Sequence, residues 1–379
     1  MNKLSIYIPS HGTYEASLQT LEECYALSRR EGVEVVVSDN SGDPSKSQAW
    51  LPKRDESFKY VISPFKDNGP NARNAFNATS GNWVCYVSDD DQIVALQGFN
   101  INDLAYIEDV VGYCPTMALH SEEHGIYRIS NMSLDQSTPV ERARHYLENN
   151  GGTNSTLFNC FRRDIIADLY KNIELHPTDG GYFDWAFVLA IASSGMVISY
   201  PKLLYIYNNR NWLTTQQIEK NTNRLFSEVG LTEENAQILT AHLALDSFTL
   251  INRFSCNLRA ADKLAAGEFA LNSYFLSFCN ILLHSKLDYM MSSNRIRLCR
   301  QLAGWAANTP QRIAALLVII DEWNPGLAEK YIEFMRKIID PEVLSYALSA
   351  VGSEPVSTLE YMSSGTGIAQ TSKAIAVET

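Results

Sequence analysis

The chain has 379 residues, of which 45% are hydrophobic and 20% charged, and its formal net charge is −12. A chain of this length and composition can bury the cores of two domains, which excludes extensive disorder. The negative charge disfavours a general nucleic-acid-binding protein, because an acidic surface repels phosphates. Seven scattered cysteines without a CxxC pair argue against a structural zinc site and for free thiols in a reducing compartment.

Neither end of the chain nor its interior carries a membrane signal. The first residues run directly into an apolar strand pattern and lack the long apolar region of a secretory signal. The longest apolar run, residues 313–320, is too short to span a bilayer. We therefore expect a cytoplasmic protein without a transmembrane segment.

Short apolar runs alternate with helical patterns in the first half of the chain. Residues 4–8, 33–37, 60–62 and 83–87 are predicted strands, and several of them are rich in β-branched residues. This alternation predicts a Rossmann-like, mostly parallel α/β sheet covered by helices. Ligands of such sheets bind beyond the carboxyl ends of the strands, so the residues that follow each strand are the candidates for a site.

The pattern predicts three regions. Residues 1–212 have mixed strand and helix patterns and are predicted to form the α/β domain. Residues 213–350 have helical periodicity, which predicts an all-α domain able to shape one side of a binding site or to mediate self-association into a homo-oligomer. Residues 351–379 are rich in small and polar residues and are predicted to be a flexible tail.

An acidic triplet, Asp89, Asp90 and Asp91, follows the fourth predicted strand. Adjacent carboxylates repel one another unless a cation or solvent neutralises them. Mg²⁺ or Mn²⁺ prefers such oxygen ligands and also takes phosphate oxygens, whereas the alternative interpretation is a solvated acidic turn. The position after a buried strand favours the metal. Asp89 and Asp91 are the first choice of ligands, although the motif leaves open which two bind.

Polar residues follow the other predicted strands as well. Asp39 can accept a hydrogen bond from the imide N–H of a uracil ring, and Arg73, in the first turn of a short helix, can contact a base or a diphosphate. Each also has a plain interpretation as a turn or surface residue. The predicted nucleotide-sugar site comprises Pro9, Ser10, His11, Asp39, Asn68, Arg73, Asp89 and Asp90.

Asp184 precedes the apolar helical run of residues 186–191. A carboxylate at a helix start is favoured by the helix dipole, so one interpretation is a simple N-terminal cap. The other is a general base that removes the proton from an acceptor hydroxyl group. Asp179, a little earlier in the chain, is the fallback for this role.

Taken in order, these segments resemble a known family. Residues 4–212 resemble the family 2 glycosyltransferases of the GT-A fold through Ile8-Pro9-Ser10, Asp39, Ala72-Arg73-Asn74, the aspartate triplet and Phe183-Asp184-Trp185. The resemblance implies that Asp39 holds the base, usually uracil, and that Arg73 helps to bind the nucleotide. It also implies that one or two of the triplet contact the ribose and the metal, and that Asp184 is the base of an inverting reaction.

The sequence therefore predicts an inverting, metal-dependent glycosyltransferase. Its donor is a UDP-sugar and its acceptor a hydroxyl group of a glycan or glycolipid, as in surface polysaccharide biosynthesis. A nucleotidyltransferase that makes nucleotide sugars is a second hypothesis, disfavoured because residues 9–15 lack the basic residues of a phosphate loop. A non-catalytic sugar- or partner-binding protein is the third, disfavoured by the intact triplet and Asp184.

Overall fold

A computed structural model describes most of the chain. It divides into two compact units between Gly230 and Leu231. Asp179 and all but the first residues of the predicted tail lie outside the described part. The described residues are 3–150, 154–178, 182, 184–210, 212–284 and 291–352.

In the first unit, nine strands of the described chain form one sheet. The strands are β1 (Leu4–Ser10), β2 (Val33–Asp39), β3 (Phe58–Ile62), β4 (Trp83–Tyr86), β5 (Gln92–Ala95), β6 (Val110–Ser121), β7 (Gly125–Ser130), β8 (Cys160–Arg162) and β9 (Met196–Asn208). Their order is β3-β2-β1-β4-β8-β6-β9-β5, with β7 paired to β6. Strands β1 to β4 pair in parallel, whereas β8 is antiparallel to both β4 and β6.

The prediction of a mostly parallel sheet is correct for β1 to β4 and for the pair of β6 and β9, whereas the other pairings are antiparallel. Parallel neighbours need a crossover connection, usually a helix, and helical segments do separate β1, β2, β3 and β4. The short turn between β6 and β7 instead gives an antiparallel hairpin, and β5 pairs antiparallel with β9. The second half of the sheet is therefore mixed.

Two of the parallel strands, β1 and β2, are buried along their whole length. Every residue of β1 and β2 is buried, including the polar residues Ser10 and Asp39 at their carboxyl ends. A strand covered on both faces reads as a continuous apolar run, which is why residues 33–37 are so rich in valine. The strands extend past these runs, so the polar residues that end them sit at the edge of the core.

Helices of the first unit complete the layers around this sheet. The helix at Tyr14–Ser28 packs against β2 and β5, and the helix at Asn68–Asn77 packs against β1 and β2. The helix at Thr215–Glu228 lies in the first unit, although the sequence pattern places it in the predicted all-α region of residues 213–350. The helices are α1 (Tyr14–Ser28), α2 (Pro44–Trp50), α3 (Asn68–Asn77), α4 (Pro139–Asn149), α5 (Arg163–Ile173), α6 (Asp184–Ser194) and α7 (Thr215–Glu228).

The second unit is built around one buried helix, Leu239–Ile251, which packs against three of its neighbours. Among the described residues, none of the helices combines the length and apolar character that crossing a bilayer requires. All seven cysteines are free thiols, and each is buried except the half-buried Cys279. The helices are α8 (Leu239–Ile251), α9 (Ala260–His284), α10 (Ser293–Trp305), α11 (Thr309–Trp323), α12 (Leu327–Ile338) and α13 (Pro341–Ala347).

Candidate functional site

The loop of residues 10–12, after β1, closes on Asp89, after the neighbouring strand β4. Asp89 Oδ2 accepts hydrogen bonds from Ser10 Oγ at 2.8 Å, from the His11 amide at 2.8 Å and from the Gly12 amide at 2.7 Å. A Cβ atom at position 12 would lie 3.1 Å from the same oxygen, so glycine permits this close approach. Asp89 is thus fixed by one oxygen, and Oδ1 accepts no hydrogen bond from the described residues.

Asp39 is buried behind this loop, with 2% of its surface exposed. Its Oδ2 accepts from the Tyr60 hydroxyl group, and its Oδ1 accepts from the Ser41 amide at 3.0 Å. The Lys46 ammonium group lies 3.4 Å from Oδ1. Asp39 therefore anchors the turn that follows β2, and its contact with a nucleobase remains a prediction.

Burial separates the members of the aspartate triplet. Asp91 is 1% exposed, and its carboxylate accepts from the Tyr205 hydroxyl group at 2.7 Å and from the Asn208 amide at 2.7 Å. Burial, followed by the charge of Asp90, raises the pKa of Asp91 to about 8. The Asp90 side chain is 25% exposed and lies 3.2 Å from the guanidinium group of Arg210. Burial also raises the pKa of Asp90, with Asp89 as the next cause.

These differences decide which carboxylates suit a divalent cation. Both oxygens of Asp91 already accept hydrogen bonds from the protein. Asp89 Oδ1 and the partly exposed carboxylate of Asp90 remain as candidate ligands for a cation. Within the described chain, no three His, Cys, Asp or Glu side chains are grouped to hold a metal. Mg²⁺ commonly uses only one or two protein carboxylates and completes its shell with water and substrate phosphates. The residues fit such a shared cation through Asp89 and Asp90 rather than through Asp91.

A cavity of about 150 Å³ lies beside the loop. Asn68 on its wall connects it to the loop, since the His11 ring nitrogen Nε2 is 2.9 Å from Asn68 Oδ1. Helix α7 contributes Leu225 and Glu228 to the lining, and Val229, directly after the helix, also lines the cavity. The polar and aromatic part of the wall consists of Asp67, Asn68, Arg73, Asp184, Tyr7, Tyr86, Tyr170 and Phe187.

Asp184, the first residue of α6, is half-buried on the cavity wall. Burial raises its pKa, and the hydrogen bond that Asn154 Nδ2 donates at 2.9 Å partly offsets that effect. Arg73, on the same wall, makes no hydrogen bond or ion pair with the described residues. The cavity wall thus holds a carboxylate with increased proton affinity and a guanidinium group without an ion-pair partner among the described residues.

Tyr207 shows how close the separate carboxylates lie. Burial raises its pKa first, and the charges of Asp91, Asp90 and Asp184 raise it further. Carboxylates distant in the sequence therefore lie near enough to one tyrosine for their charges to raise its pKa. Among the predicted site residues, Asn68, Arg73 and Asp184 line the cavity. The others follow or end β1, β2 and β4 and lie outside the cavity lining, namely Pro9, Ser10, His11, Asp39, Asp89, Asp90 and Asp91.

Three residues at the site have no counterpart in the predicted set. Lys46 contacts the loop, Arg210 contacts Asp90, and Asn154 contacts Asp184. Arg210 directly follows the Asn208-Asn209 pair after the last strand, and the strand-end rule applies to it. Lys46 and Asn154 stand in polar segments without a motif, so only the folded chain identifies them.

Comparison with known proteins gives one sequence relative. The chain is 30% identical over 185 residues to GalNAc(5)-diNAcBac-PP-undecaprenol beta-1,3-glucosyltransferase of Campylobacter jejuni. The match covers 47% of this chain and 58% of the relative, so it spans little more than half of that protein. No family model matches the chain. The relative is a glycosyltransferase, the class of enzyme that the ordered motifs imply.

Among solved structures, the chain is similar to residues 1–349 of TarS from S. aureus. The identity is 15%, 92% of each chain is covered, and the TM-score is 0.48. The same TarS fragment in complex with UDP-GlcNAc gives a TM-score of 0.46 at 15% identity, again over 92% of each chain. Its complex with UDP gives a TM-score of 0.44 at 16% identity over the same shares.

Proposed function

We propose that this chain is a glycosyltransferase that moves a sugar from a UDP-sugar donor to a hydroxyl group of a glycan or glycolipid acceptor. One observation carries the proposal: Asp184, with its raised pKa, shares a cavity wall with Arg73, which forms no ion pair within the part of the chain that the structure describes. Displacement at a sugar carbon that bears a diphosphate needs a base for the incoming hydroxyl group and positive charge for the leaving group. The sequence likeness to a glucosyltransferase supports the same class of reaction.

Asp184 acts as the general base. Its carboxylate takes the proton of the acceptor hydroxyl group while that oxygen forms a bond to the anomeric carbon. The bond from this carbon to the diphosphate oxygen breaks, and its electron pair leaves with UDP. Because the acceptor attacks opposite the leaving group, the anomeric configuration inverts. A pKa above the usual range makes Asp184 a stronger base in its ionised form.

The nucleotide end of the donor belongs at the 10–12 loop and the residues beside it. Arg73, which lines the same cavity as Asp184, provides positive charge for the diphosphate. A divalent cation held by Asp89 and Asp90, Mg²⁺ or Mn²⁺, would neutralise negative charge on the departing diphosphate. The remaining contacts are assigned to Ser10, His11, Asp39 and Asn68.

The test is transfer from labelled UDP-sugars, with UDP release as the readout. The first acceptors to try are oligosaccharides linked through a diphosphate to a polyprenol, because the sequence relative is named for such a substrate. We expect UDP release that depends on the acceptor and falls after chelation of divalent metal. Product of the opposite anomeric configuration to the donor, read by NMR, tests inversion.

Two outcomes would replace this proposal. Pyrophosphate release from a nucleoside triphosphate and a sugar phosphate would identify a nucleotidyltransferase instead. Absence of any thermal stabilisation by UDP or UDP-sugars in the presence of Mn²⁺ would favour a non-catalytic protein, since a ligand that binds the folded state raises its apparent stability.

A further inference from the structure

Lys46 is a lysine with no exposed side-chain surface, although it belongs to the short surface helix α2. Its ammonium group lies 2.5 Å from Ser10 Oγ and 2.7 Å from the Gly12 carbonyl oxygen, the two ends of the 10–12 loop. It also lies 3.4 Å from Asp39 Oδ1. A buried cation is costly unless it is paired and hydrogen-bonded, and these contacts meet that requirement.

The contact with Ser10 extends to the aspartate triplet. Ser10 Oγ accepts a hydrogen bond from Lys46 and donates its own hydrogen to Asp89 Oδ2 at 2.8 Å. The ammonium group itself lies 3.9 Å from that carboxylate oxygen. A single buried cation therefore stands between Asp39 and Asp89, two carboxylates from different strand ends, and fixes the loop between them.

The position of Lys46 affects the orientation of the 10–12 loop as well as the stability of the fold. Lys46 holds the Gly12 carbonyl group and Ser10 Oγ, and with these two groups fixed the amides of His11 and Gly12 are directed toward Asp89. It also fixes the start of the loop from which the His11 ring reaches Asn68 on the cavity wall. The loop can receive a ligand without first being ordered, which lowers the entropic cost of binding.

We infer that Lys46 is a positioning residue for the donor nucleotide: it holds the 10–12 loop, Asp39 and Asp89 in the arrangement that binds the nucleoside diphosphate, without contacting that ligand itself. The inference rests on the proposed function. It predicts an effect on donor binding rather than on the chemical step, because Lys46 is not among the residues that line the cavity with Asp184.

The experiment compares Lys46→Met with a matched control, Lys59→Met. Lys59 forms a 2.7 Å ion pair with buried Glu34 at the other end of the same strands, so its loss also breaks a lysine–carboxylate pair. The dissociation constant of UDP is measured by calorimetry, and kcat and KM for the UDP-sugar by UDP release. Thermal unfolding of each variant reports the accompanying loss of stability.

We expect Lys46→Met to raise the dissociation constant of UDP and KM for the donor by about 10-fold to 100-fold, the range caused by small misplacements of binding groups. We expect kcat to change by less than about threefold, since loss of uniform binding raises KM alone. Lys59→Met should lose stability but keep the dissociation constant and KM of the unsubstituted protein. Lys46→Arg, which retains the charge, should restore part of the UDP affinity.

A folded Lys46→Met protein with unchanged UDP affinity and KM overturns the inference. If that variant does not fold, Lys46→Gln keeps an N–H donor for the Gly12 carbonyl group and takes its place, with unchanged affinity again the contrary result. An equal fall in affinity in Lys59→Met would also overturn it, because the effect would then follow general stability. Failure of the unsubstituted protein to bind UDP instead defeats the proposed function, before any variant is compared.

Discussion

The two ends of the parallel strands carry similar buried networks with different surroundings. At the amino end, Glu34 of β2 is fully buried and accepts from Lys59 at 2.7 Å, from Lys3 at 3.3 Å and from the Ser80 amide at 2.8 Å. Ser5 of β1, its register partner, also donates to it. At the carboxyl end, the register pair of Ser10 and Asp39 meets Lys46 in the same manner.

The difference lies in what borders each network. Both oxygens of Glu34 accept hydrogen bonds, and neither it nor its partners line the cavity. The carboxyl-end network leads through His11 and Asn68 to a cavity wall with Asp184 and with Arg73, for which the described residues provide no ion-pair partner. A buried charge with a complete set of partners therefore indicates that the residue stabilises the fold. A charged group with unused binding capacity beside a cavity indicates a site.

The comparison predicts that substitution of a charged group with unused binding capacity beside the cavity changes activity more than stability, and Asp184→Asn is the strongest case. Loss of the general base should lower kcat for transfer by about 10²-fold to 10⁴-fold. UDP affinity should be kept, because the amide has the shape of the carboxylate and still accepts from Asn154. Asp164→Asn is the control, since Asp164 also lies in the first turn of a helix but is exposed. Transfer within about threefold of the unsubstituted rate would remove Asp184 as the base.

The triplet offers the same contrast within three residues. Asp90→Asn should weaken the stimulation of transfer by Mn²⁺ by at least about tenfold, since it removes a proposed ligand. Asp91→Asn should mainly lower stability, because its buried carboxylate accepts from Tyr205 and Asn208. Titration of activity with Mn²⁺ and thermal unfolding measure the two effects. An unaltered metal response in Asp90→Asn, or transfer that withstands chelation, would contradict the assignment.

The parallel half of the fold could be predicted because its information is local. The apolar runs at residues 4–8, 33–37 and 83–87 each became a strand, and the intervening periodic segments became helices. The mixed half depends on pairing between distant segments, such as β4 with β8 and β6 with β9. No local pattern specifies which of these strands are neighbours.

The site shows a similar limit. The strand-end rule correctly indicated where Ser10, Asp39 and Asp89 meet, because parallel strands bring their carboxyl ends to one edge. It could not separate Asp91 from Asp90, since these chemically identical side chains differ in burial and in their partners, which only the folded chain shows. Lys46 was missed for a related reason, because a lone lysine in a polar helix is normally exposed.

At the amino end of the parallel strands, we expect a substitution to lower stability and leave activity unchanged, which is the reverse of the effect expected for Asp184→Asn. Glu34→Gln should lower the free energy of unfolding by about 1–3 kcal/mol, since it removes the charge that Lys59 and Lys3 contact in a buried setting. Transfer and UDP affinity should not change, because Glu34 lies away from the cavity lining. Urea unfolding and UDP calorimetry on the same preparations provide the comparison. A clear fall in UDP affinity would mean that the two networks are coupled through β2.

The smallest predicted effect is a difference in pH dependence between the two ends. Burial raises the pKa of Glu34, but hydrogen bonds from Lys59, Ser5 and Ser80 outweigh it and lower the pKa to about 2 from 4.5. The unfolded chain then takes up this proton more readily than the folded protein. The stabilisation by Glu34 is therefore complete above about pH 4.5 and is lost as the pH falls toward 2.

Asp184 has the opposite sign, because burial raises its pKa and the folded protein then binds the proton more tightly than the unfolded chain. Stability should rise at this group as the pH falls through its raised pKa. Urea unfolding from pH 7 to pH 3 should consequently show a shallower acid loss in Glu34→Gln and a steeper one in Asp184→Asn than in the unsubstituted protein. Parallel curves for all three would mean that neither carboxyl group titrates differently in the folded state, and the contrast between the two strand ends would then rest on geometry alone.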